Sequence, residues 1–491
     1  MLIRDAEVAG RRVDLRCSEG RIEALAGGIA PRAGEPVLEA GGGALLPGLH
    51  DHHLHLFALA AALRSIDCGP PKVRNAEALA RALREAPSEA GWRRGTGYFE
   101  SVAGPLDRDR LDRLAPGGPV RIQHRSGVAW FLNSAALTAL GLDGPPDAAA
   151  DARPGDGFTG VERDAAGRAT GRIFRADAWL RERLGAPTPP DLRTVGLRLA
   201  RVGVTGVTDA TPTNDLAQVA LLRAAQRSGA LPQRLRVMGD ASLAALASEE
   251  RLVTDARKLL LDEPALPDFD ALVAEIEAAH RTGRGCAFHC VTRVELHFAL
   301  AALEAAGASR ADRVEHASVA PPEAIEKAKR LGVRVVTQPN FAFERGDDYL
   351  EQVDPRDQAH LYRVKSWLDA GVPLLAGTDA PYGEPDPWQA MRAATSRRTR
   401  SGRPLSPEEA IPPEAALALF SSGARIAVGE PADLCLLDRP WHAARQALDA
   451  ERVAATVCAG SVVFEKAETG GSGGPSPDPA PADAEGARPS A

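Results

Sequence analysis

The chain has 491 residues, a hydrophobic fraction of 44% and a charged fraction of 25%, which are ordinary values for a globular protein with a large core. This length favours two or three structural units. The net charge of −7 at pH 7 argues against a nucleic-acid-binding protein and against a polybasic membrane anchor.

Targeting signals and cysteine usage indicate the compartment. No apolar run of about eighteen residues occurs, and the first residues lack the apolar stretch of a secretory leader. We therefore expect neither a membrane span nor secretion. The six cysteines are scattered along the chain, and we interpret them as reduced thiols rather than as a disulfide framework. These patterns predict a cytoplasmic protein.

The two ends of the chain share one pattern. Short alternating apolar runs, separated by glycines, occupy residues 1–46, and the same pattern returns in residues 425–467. We predict that both segments together form a composite β-sandwich. Residues 468–491 are rich in Gly, Ser, Pro and Ala and contain no aromatic residue, so this tail is predicted to be disordered.

Between these ends, residues 47–424 follow a different pattern. From Gly203 onward, strand-like and helix-like segments alternate at a spacing of about 30 residues, which is typical of parallel βα units. The predicted strands are 44–49, 203–209, 235–238, 256–261, 287–291, 313–316, 333–337 and 372–379. Eight strands favour a (β/α)₈ barrel of the TIM type. Residues 60–190 then form a large insertion after the first strand.

The most specific local motif lies in the stretch that begins Pro47-Gly48. His53 and His55 are two residues apart in a segment predicted to be extended, where alternate side chains point to the same side. Both imidazoles are therefore able to bind one metal ion. A lone pair of this kind is a weak signal, but its position at the end of a predicted strand strengthens it.

Further candidate ligands lie at the ends of later strands. His289, His316 and Asp379 end the fifth, sixth and eighth predicted strands. Barrel enzymes place their chemistry at this end of the strands. A single histidine at a strand end is usually structural, and an aspartate before Ala-Pro is usually a turn former. Their joint occurrence instead predicts a metal site, with nitrogen and oxygen ligands that suit zinc or a similar divalent ion.

With these residues the sequence resembles the amidohydrolase superfamily, and within it the amidohydrolase-3, YtcJ-like branch. The residues that match the metal-site motifs of that branch are Pro47, Gly48, Asp51, His53, His55, His289, His316 and Asp379. Segments 91–98 and 121–137 resemble its inserted region, and 429–434 resembles its return into the sandwich. The resemblance extends over nearly the whole chain except the tail.

The resemblance implies a metal-dependent hydrolase that cleaves an amide-like C–N bond of a small molecule by a metal-activated hydroxide. It implies one or two divalent ions, with Zn²⁺ as the expected metal. His53, His55 and Asp379 would hold one ion, and His289 and His316 the other. Asp379 would also accept a proton from water and return it to the leaving nitrogen.

Lys258 is the only lysine between Lys72 and Lys327, and it lies in an apolar predicted strand. The resemblance implies that a lysine on the fourth strand becomes carboxylated and bridges two metals, with a metal-binding and catalytic role. A buried ammonium is costly, so a neutral amine that takes up carbon dioxide is chemically reasonable there. The alternative is a lysine whose amine extends to the barrel rim.

Substrate contacts in an enzyme of this kind lie on loops. The candidate wall residues are Tyr98, Glu100, Gln338, Phe341, Arg345, Tyr382 and Trp388, each of which is as easily explained by packing. Two other functions stay open: a catalytically silent binding protein of the same fold, and a deaminase or C–O hydrolase. A homo-oligomer is compatible with all of them.

Overall fold

The computed structural model describes residues 1–144, 160–175, 177–184 and 190–467. Its centre is an eight-stranded parallel sheet in which each strand pairs with the next strand of the same sheet. The strands of this sheet are Leu49–Leu54, Val204–Asp209, Arg234–Gly239, Leu252–Leu260, Cys286–Cys290, Arg313–His316, Arg334–Thr337 and Leu374–Ala376. The predicted barrel is confirmed.

The first and eighth strands meet and close the barrel. Leu54 bridges Ala380 in parallel, and the Asp379 N–H donates to the His53 carbonyl at 2.7 Å. The backbones approach so closely that a Cβ atom on Gly377 would lie 2.4 Å from the backbone nitrogen of His53. Glycine is therefore required at this seam, since no larger residue fits without moving a backbone.

Helices cover the outside of the barrel and end with the expected signals. The helix Arg293–Ala306, for example, begins with a capping box between Thr292 and Glu295 and stops at Gly307 in the left-handed conformation. The main helices around the barrel are Leu56–Leu63, Arg193–Arg201, Leu216–Arg227, Phe269–Arg281, Arg293–Ala306, Pro322–Leu331, Lys365–Ala370, Pro387–Ser396 and Pro413–Ala418.

Shorter helical segments lie in the loops and connections. The α-helical ones are Asn340–Glu344, Gly346–Gln352, Pro355–Gln358 and Trp441–Ala444. The 3₁₀ turns are Ala241–Ala245, Glu263–Ala265, Pro407–Glu409 and Ala450–Arg452. Within the part of the chain that the structure describes, no helix has the length and apolarity that a bilayer crossing requires.

A second core lies between two four-stranded sheets built from both chain ends. One sheet contains Leu2–Val8, Arg11–Ser18, Arg21–Ala26 and Val37–Glu39, and the other contains Leu45–Pro47, Leu434–Leu437, Val453–Cys458 and Ser461–Glu465. Ile3 and Leu15 of the first sheet share a buried cluster with Leu434 and Val457 of the second. The predicted composite β-sandwich is confirmed.

The strand predicted over 44–49 is divided between the two units. Leu45–Pro47 pairs with Leu434–Leu437 of the sandwich, whereas the first barrel strand begins at Leu49. Gly48 marks the change of sheet, because a Cβ atom there would lie 2.0 Å from the Thr205 hydroxyl. The prediction therefore placed the barrel strand too early, since an apolar run alone does not show which sheet it joins.

The large insertion after the first barrel strand has its own sheet and its own core. Its strands are Ile66–Asp67, Arg93–Tyr98, Val120–His124, Ala129–Leu132, Gly160–Arg163 and Ala169–Phe174. Its helices are Ala76–Glu85, Glu100–Ala103, Arg108–Leu114, Ser134–Ala139 and Asp177–Arg183. We propose the unit boundaries 1–46 with 425–467, 47–424, and the insertion at about 60–190. The predicted tail, 468–491, lies outside the described residues.

Candidate active site

The histidines selected from the sequence meet at the carboxyl end of the barrel. His53 lies at the end of the first strand, with His55 just beyond it, while His289 and His316 lie on the fifth and sixth strands. The ring centroids of His53 and His316 are 4.7 Å apart, and those of His316 and His289 are 4.6 Å apart. The rings of His53 and His55 lie 5.4 Å apart.

Asp379 completes a compact group of donors with the first two histidines. Its Oδ1 lies 3.3 Å from Nε2 of His55 and 3.5 Å from Nε2 of His53. One ligand atom from each of these three residues falls within 4.8 Å of the others, which is close enough to share one cation. Two imidazole nitrogens and a carboxylate oxygen are a donor set that suits zinc and similar divalent ions.

Three of the imidazoles are held through Nδ1, which leaves Nε2 as the free ring nitrogen. His53 Nδ1 contacts the Glu315 carboxylate. His55 Nδ1 lies 3.0 Å from the Thr211 hydroxyl, and His316 Nδ1 lies 2.8 Å from the amide oxygen of Gln338. Metal-binding histidines are usually oriented in this way, because the second ring nitrogen is fixed by an acceptor.

Burial favours the neutral form of three histidines of the site, His53, His289 and His316. Burial lowers the pKa of His289 to about 3, with a further contribution from Lys258. Burial likewise lowers the pKa of His53 and of His316 well below the usual value. Neutral imidazole is the form that binds a metal. The low pKa values are therefore consistent with a metal-binding role.

Three buried polar atoms of the proposed site residues have no hydrogen-bond partner among the described residues. They are Nζ of Lys258, on the fourth strand, Oδ1 of Asp379 and Nε2 of Gln338. Burial lowers the pKa of Lys258 to about 8, against the opposing effect of Glu315. Unsatisfied buried polar atoms are costly, so a missing partner is the simplest explanation. A cation between the imidazoles and Asp379 fits this observation.

Backbone geometry singles out two of the candidate ligands. His316 has φ of 66° and Asp379 has φ of 57°, which places both in the left-handed region that non-glycine residues rarely occupy. Strain of this kind persists where the surrounding structure imposes it, and it concentrates at functional sites. His316 is the last residue of the sixth barrel strand, and Asp379 lies just beyond the eighth.

Asp51 connects the first strand to the eighth. Its buried carboxylate accepts hydrogen bonds from the Thr378 N–H at 3.0 Å, the Thr378 hydroxyl at 2.5 Å and the His53 N–H at 3.2 Å. Burial raises the pKa of Asp51 to about 7. Asp51 therefore holds His53 and Asp379 in register, which explains its place in the sequence motif.

Sequence reasoning did not identify Glu315 or Thr211, which orient two of the histidines. Glu315 was recognisable only as a charged residue inside a short buried strand that ends in His316. Such a residue needs a buried partner. The partner, His53, lies 262 residues earlier in the chain, and no local pattern indicates that pairing.

Two proposed wall residues lie elsewhere. Tyr98 is buried in the core of the insertion, where its ring contacts Phe131 and its hydroxyl donates to the Gly104 carbonyl at 2.5 Å. Trp388 is buried in the barrel core, and its Nε1 donates to the Val202 carbonyl at 2.9 Å. Both side chains are used for packing, so we withdraw them from the substrate wall.

The remaining wall candidates lie nearer to the histidines. The Tyr382 ring is 5.6 Å from the His55 ring, and Gln338 orients His316. Arg345 donates to the Tyr382 carbonyl at 2.6 Å and stacks on Phe341.

Glu100 is exposed on the insertion, where it lies 3.1 Å from His124. Another part of the insertion reaches Tyr382, because a Cβ atom on Gly127 would lie 2.5 Å from its ring. The insertion therefore contributes one side of the site mouth.

An eight-stranded barrel with histidines and an aspartate at the carboxyl ends of its strands defines a class of metal-dependent hydrolase architecture. A model of the amidohydrolase family matches residues 37–464, so the chain belongs to the amidohydrolase family.

Curated relatives and a solved structure agree with this assignment. The chain is 29% identical to the N-substituted formamide deformylase of Arthrobacter pascens, over 88% of this chain and 89% of that protein. It is 24% identical to the putative amidohydrolase YtcJ of Bacillus subtilis, over 87% of this chain and 90% of that protein. An uncharacterized metal-dependent hydrolase from Pyrococcus horikoshii has the same fold, with a TM-score of 0.69 at 20% identity over 89% of this chain and 97% of that one.

Proposed function

We propose that the protein hydrolyses an amide-like C–N bond of a small molecule with the help of a divalent metal, and that N-formyl amides are the substrates to test first. The observation that carries this proposal is the donor group of His53, His55 and Asp379, whose ligand atoms lie within 4.8 Å of one another at the carboxyl end of the barrel. The relative from Arthrobacter pascens, a deformylase by name, directs attention to formyl groups.

His53, His55 and Asp379 would hold one ion, and His289 with His316 would hold a second. Zn²⁺ suits these donors. When bound, the metal supplies a Lewis acid for the substrate carbonyl and makes water more acidic. Lys258, whose Nζ has no hydrogen-bond partner among the described residues, would bridge the two ions after carboxylation. Its position on the strand next to His289 supports this role.

The protein's own groups account for proton transfer. With Oδ1 of Asp379 on the metal, the other carboxylate oxygen would take a proton from the attacking water. The C–N bond then breaks, and the same carboxyl group returns the proton to the leaving nitrogen. The products are a carboxylic acid and an amine. Asp51 keeps this carboxylate in place by binding the backbone and side chain of Thr378, the preceding residue.

We also propose a cytoplasmic location. All six cysteines are buried as free thiols, which fits a reducing compartment.

The test combines metal analysis with an activity screen. The purified protein is expected to contain at least one divalent ion per chain and to release formate from N-formyl amides faster than acid from N-acyl or cyclic amides. His53→Ala is expected to lose both metal and activity. His442→Ala is the matched control, because that imidazole is exposed on the short helix Trp441–Ala444. Wild-type turnover and metal content in His53→Ala would disprove the proposal.

A further inference from the structure

Arg345 is a half-buried cation beside the proposed metal centre that makes no direct ion pair with a described residue, although Glu344 and Asp379 lie close enough to help raise its pKa. Its Nη2 donates to the Tyr382 carbonyl at 2.6 Å, and the Tyr382 ring lies 5.6 Å from the ring of His55. Among the residues that the structure describes, no carboxylate lies within 4.0 Å of its guanidinium nitrogens, and Nε and Nη1 make no hydrogen bond. A partly buried charge without a partner is costly unless a ligand supplies one.

The guanidinium is held in place by its surroundings. Cζ of Arg345 lies 4.0 Å from the centroid of the Phe341 ring, so the planar group stacks on an aromatic face. Phe341 belongs to an apolar cluster that also contains Tyr349, Tyr362 and Tyr382. Three of the four tyrosines of a chain with few aromatic residues therefore gather around this arginine. This environment fixes the position of Arg345 and does not neutralise its charge.

Two acidic side chains close to Arg345 in the chain are engaged elsewhere. Oε1 of Glu344 accepts hydrogen bonds from Asn340 at 3.2 Å and Gln389 at 2.6 Å. Asp348 pairs with Arg125 at 2.5 Å.

The insertion brings that second arginine close, because the Arg125 carbonyl lies 3.5 Å from Nη2 of Arg345. Two guanidinium groups therefore lie at this side of the site mouth, and only that of Arg125 makes an ion pair, with Asp348. One positive charge remains available to a ligand.

We propose that Arg345 binds a carboxylate of the substrate, so that the substrates are amides that carry an anionic group, as N-formyl and N-acyl amino acids do. The planar fork of an arginine matches a carboxylate in two parallel hydrogen bonds. The aromatic cluster beside it suits an apolar side chain on the same substrate. This inference rests on the proposed function for the reaction, but the anion subsite itself is testable without turnover.

The test measures binding of two ketones that cannot be hydrolysed. In 2-benzyl-4-oxopentanoate a CH₂ group replaces the amide nitrogen of N-acetylphenylalanine, and 5-phenylpentan-2-one is the same molecule without the carboxylate. Calorimetry on the metal-loaded protein is expected to show that the carboxylate ketone binds about 10- to 100-fold more tightly, the range of charged hydrogen bonds. Arg345→Gln is expected to bring the ratio of the two ketone affinities close to one. Arg345→Lys is expected to keep part of it.

Arg281→Gln is the matched control, because this arginine is exposed at the end of the helix Phe269–Arg281 and is expected to keep the wild-type ratio. Equal affinities in the wild type, no binding of either ketone, or an unchanged ratio in Arg345→Gln would each overturn the inference. An unchanged ratio in Arg345→Gln would mean that the carboxylate of the ketone binds the metal instead. If hydrolysis of every amide fails while the ratio still depends on Arg345, the proposed function is wrong and the anion subsite stands.

Discussion

The buried carboxylate of Glu315 contacts Nδ1 of His53, and Nε2 of the same ring lies 3.5 Å from Asp379. Arg313 contacts both oxygens of this carboxylate: its Nε donates to Oε1, and its Nη2 donates at 3.0 Å to Oε2, the oxygen that faces His53. The same Nη2 also donates to the His52 carbonyl at 2.8 Å. The sixth strand thus fixes the tautomer and the direction of a histidine on the first strand. We expect this buried pair to determine how well the proposed centre holds its metal.

Glu315→Gln tests this relationship. The amide keeps the shape of the side chain but loses the charge that orients His53, so metal affinity is expected to fall by about 10- to 100-fold. Competition with a chelator measures the affinity. The control is Glu323→Gln, whose carboxylate is exposed on the helix Pro322–Leu331. Equal affinities in both variants would mean that Glu315 serves the fold alone.

Lys258 is the second test, and it concerns the number of metal ions. If Lys258 bridges two ions as an anion, its removal would leave two cations that repel each other, so Lys258→Ala is expected to lose at least one ion per chain. Lys258→Arg is also expected to lose metal, because a guanidinium stays charged and forms no carbamate. Elemental analysis of purified protein gives the stoichiometry. Bicarbonate or a short-chain acid is expected to restore part of the metal binding in Lys258→Ala.

Lys72→Ala is the matched control for this series, because Lys72 lies on the surface and pairs with Asp67 at 2.6 Å. It is expected to keep the wild-type metal content. Unchanged metal content together with full activity in Lys258→Ala would show that Lys258 is not a bridging ligand. The centre would then hold one ion, or a different residue would bridge two.

The seam between the first and eighth strands is the third test. In Gly377→Ala the new methyl group would lie 2.4 Å from the backbone nitrogen of His53 and 2.6 Å from its Cβ. We expect a loss of about 1 to 3 kcal/mol in the free energy of unfolding, because the backbone has to move. Chemical denaturation measures this loss.

Activity and metal content are expected to fall in the same variant, because His53 is displaced. Gly27→Ala is the control, since Gly27 has no atom within 4 Å of the added Cβ. Its stability is expected to change by less than about 0.5 kcal/mol. A Gly377→Ala protein as stable as Gly27→Ala would contradict the close approach.

The fourth test concerns pH and Glu344, a half-buried residue outside the proposed metal ligands. Burial raises the pKa of Glu344 to about 7, above the value of 4.5 in an unfolded chain. The folded protein therefore binds more protons than the unfolded chain between these values, so stability falls as pH rises through 7.

Glu344→Gln removes this dependence. Its melting temperature is expected to exceed that of the wild type at pH 8.5 and to approach it at pH 4, which calorimetry over a pH series measures. The control is Glu351→Gln, because that carboxylate is exposed. A difference between Glu344→Gln and wild type that does not change with pH would contradict the prediction.

The amino-acid sequence by itself determined the barrel and the identity of the proposed ligands. Apolar runs of strand length at regular spacing indicate parallel βα units, and residues that end such strands meet at one end of a barrel whatever their distance in sequence. For this reason His289, His316 and Asp379 could be grouped with His53 from strand positions alone. The pairing of both chain ends in one sandwich followed from a shared pattern in the same way.

Only the tertiary structure decided which residues orient the proposed metal ligands and which residues line the mouth of the site. Glu315 and His53 belong to strands on different parts of the barrel, and their contact depends on register and tilt, which local sequence does not encode. Tyr98 lies in the insertion and Trp388 follows the eighth barrel strand, but the side chains of both are buried in cores. A pattern of residue types predicts the strand on which a side chain lies, whereas the direction it takes depends on packing against residues far away in the chain.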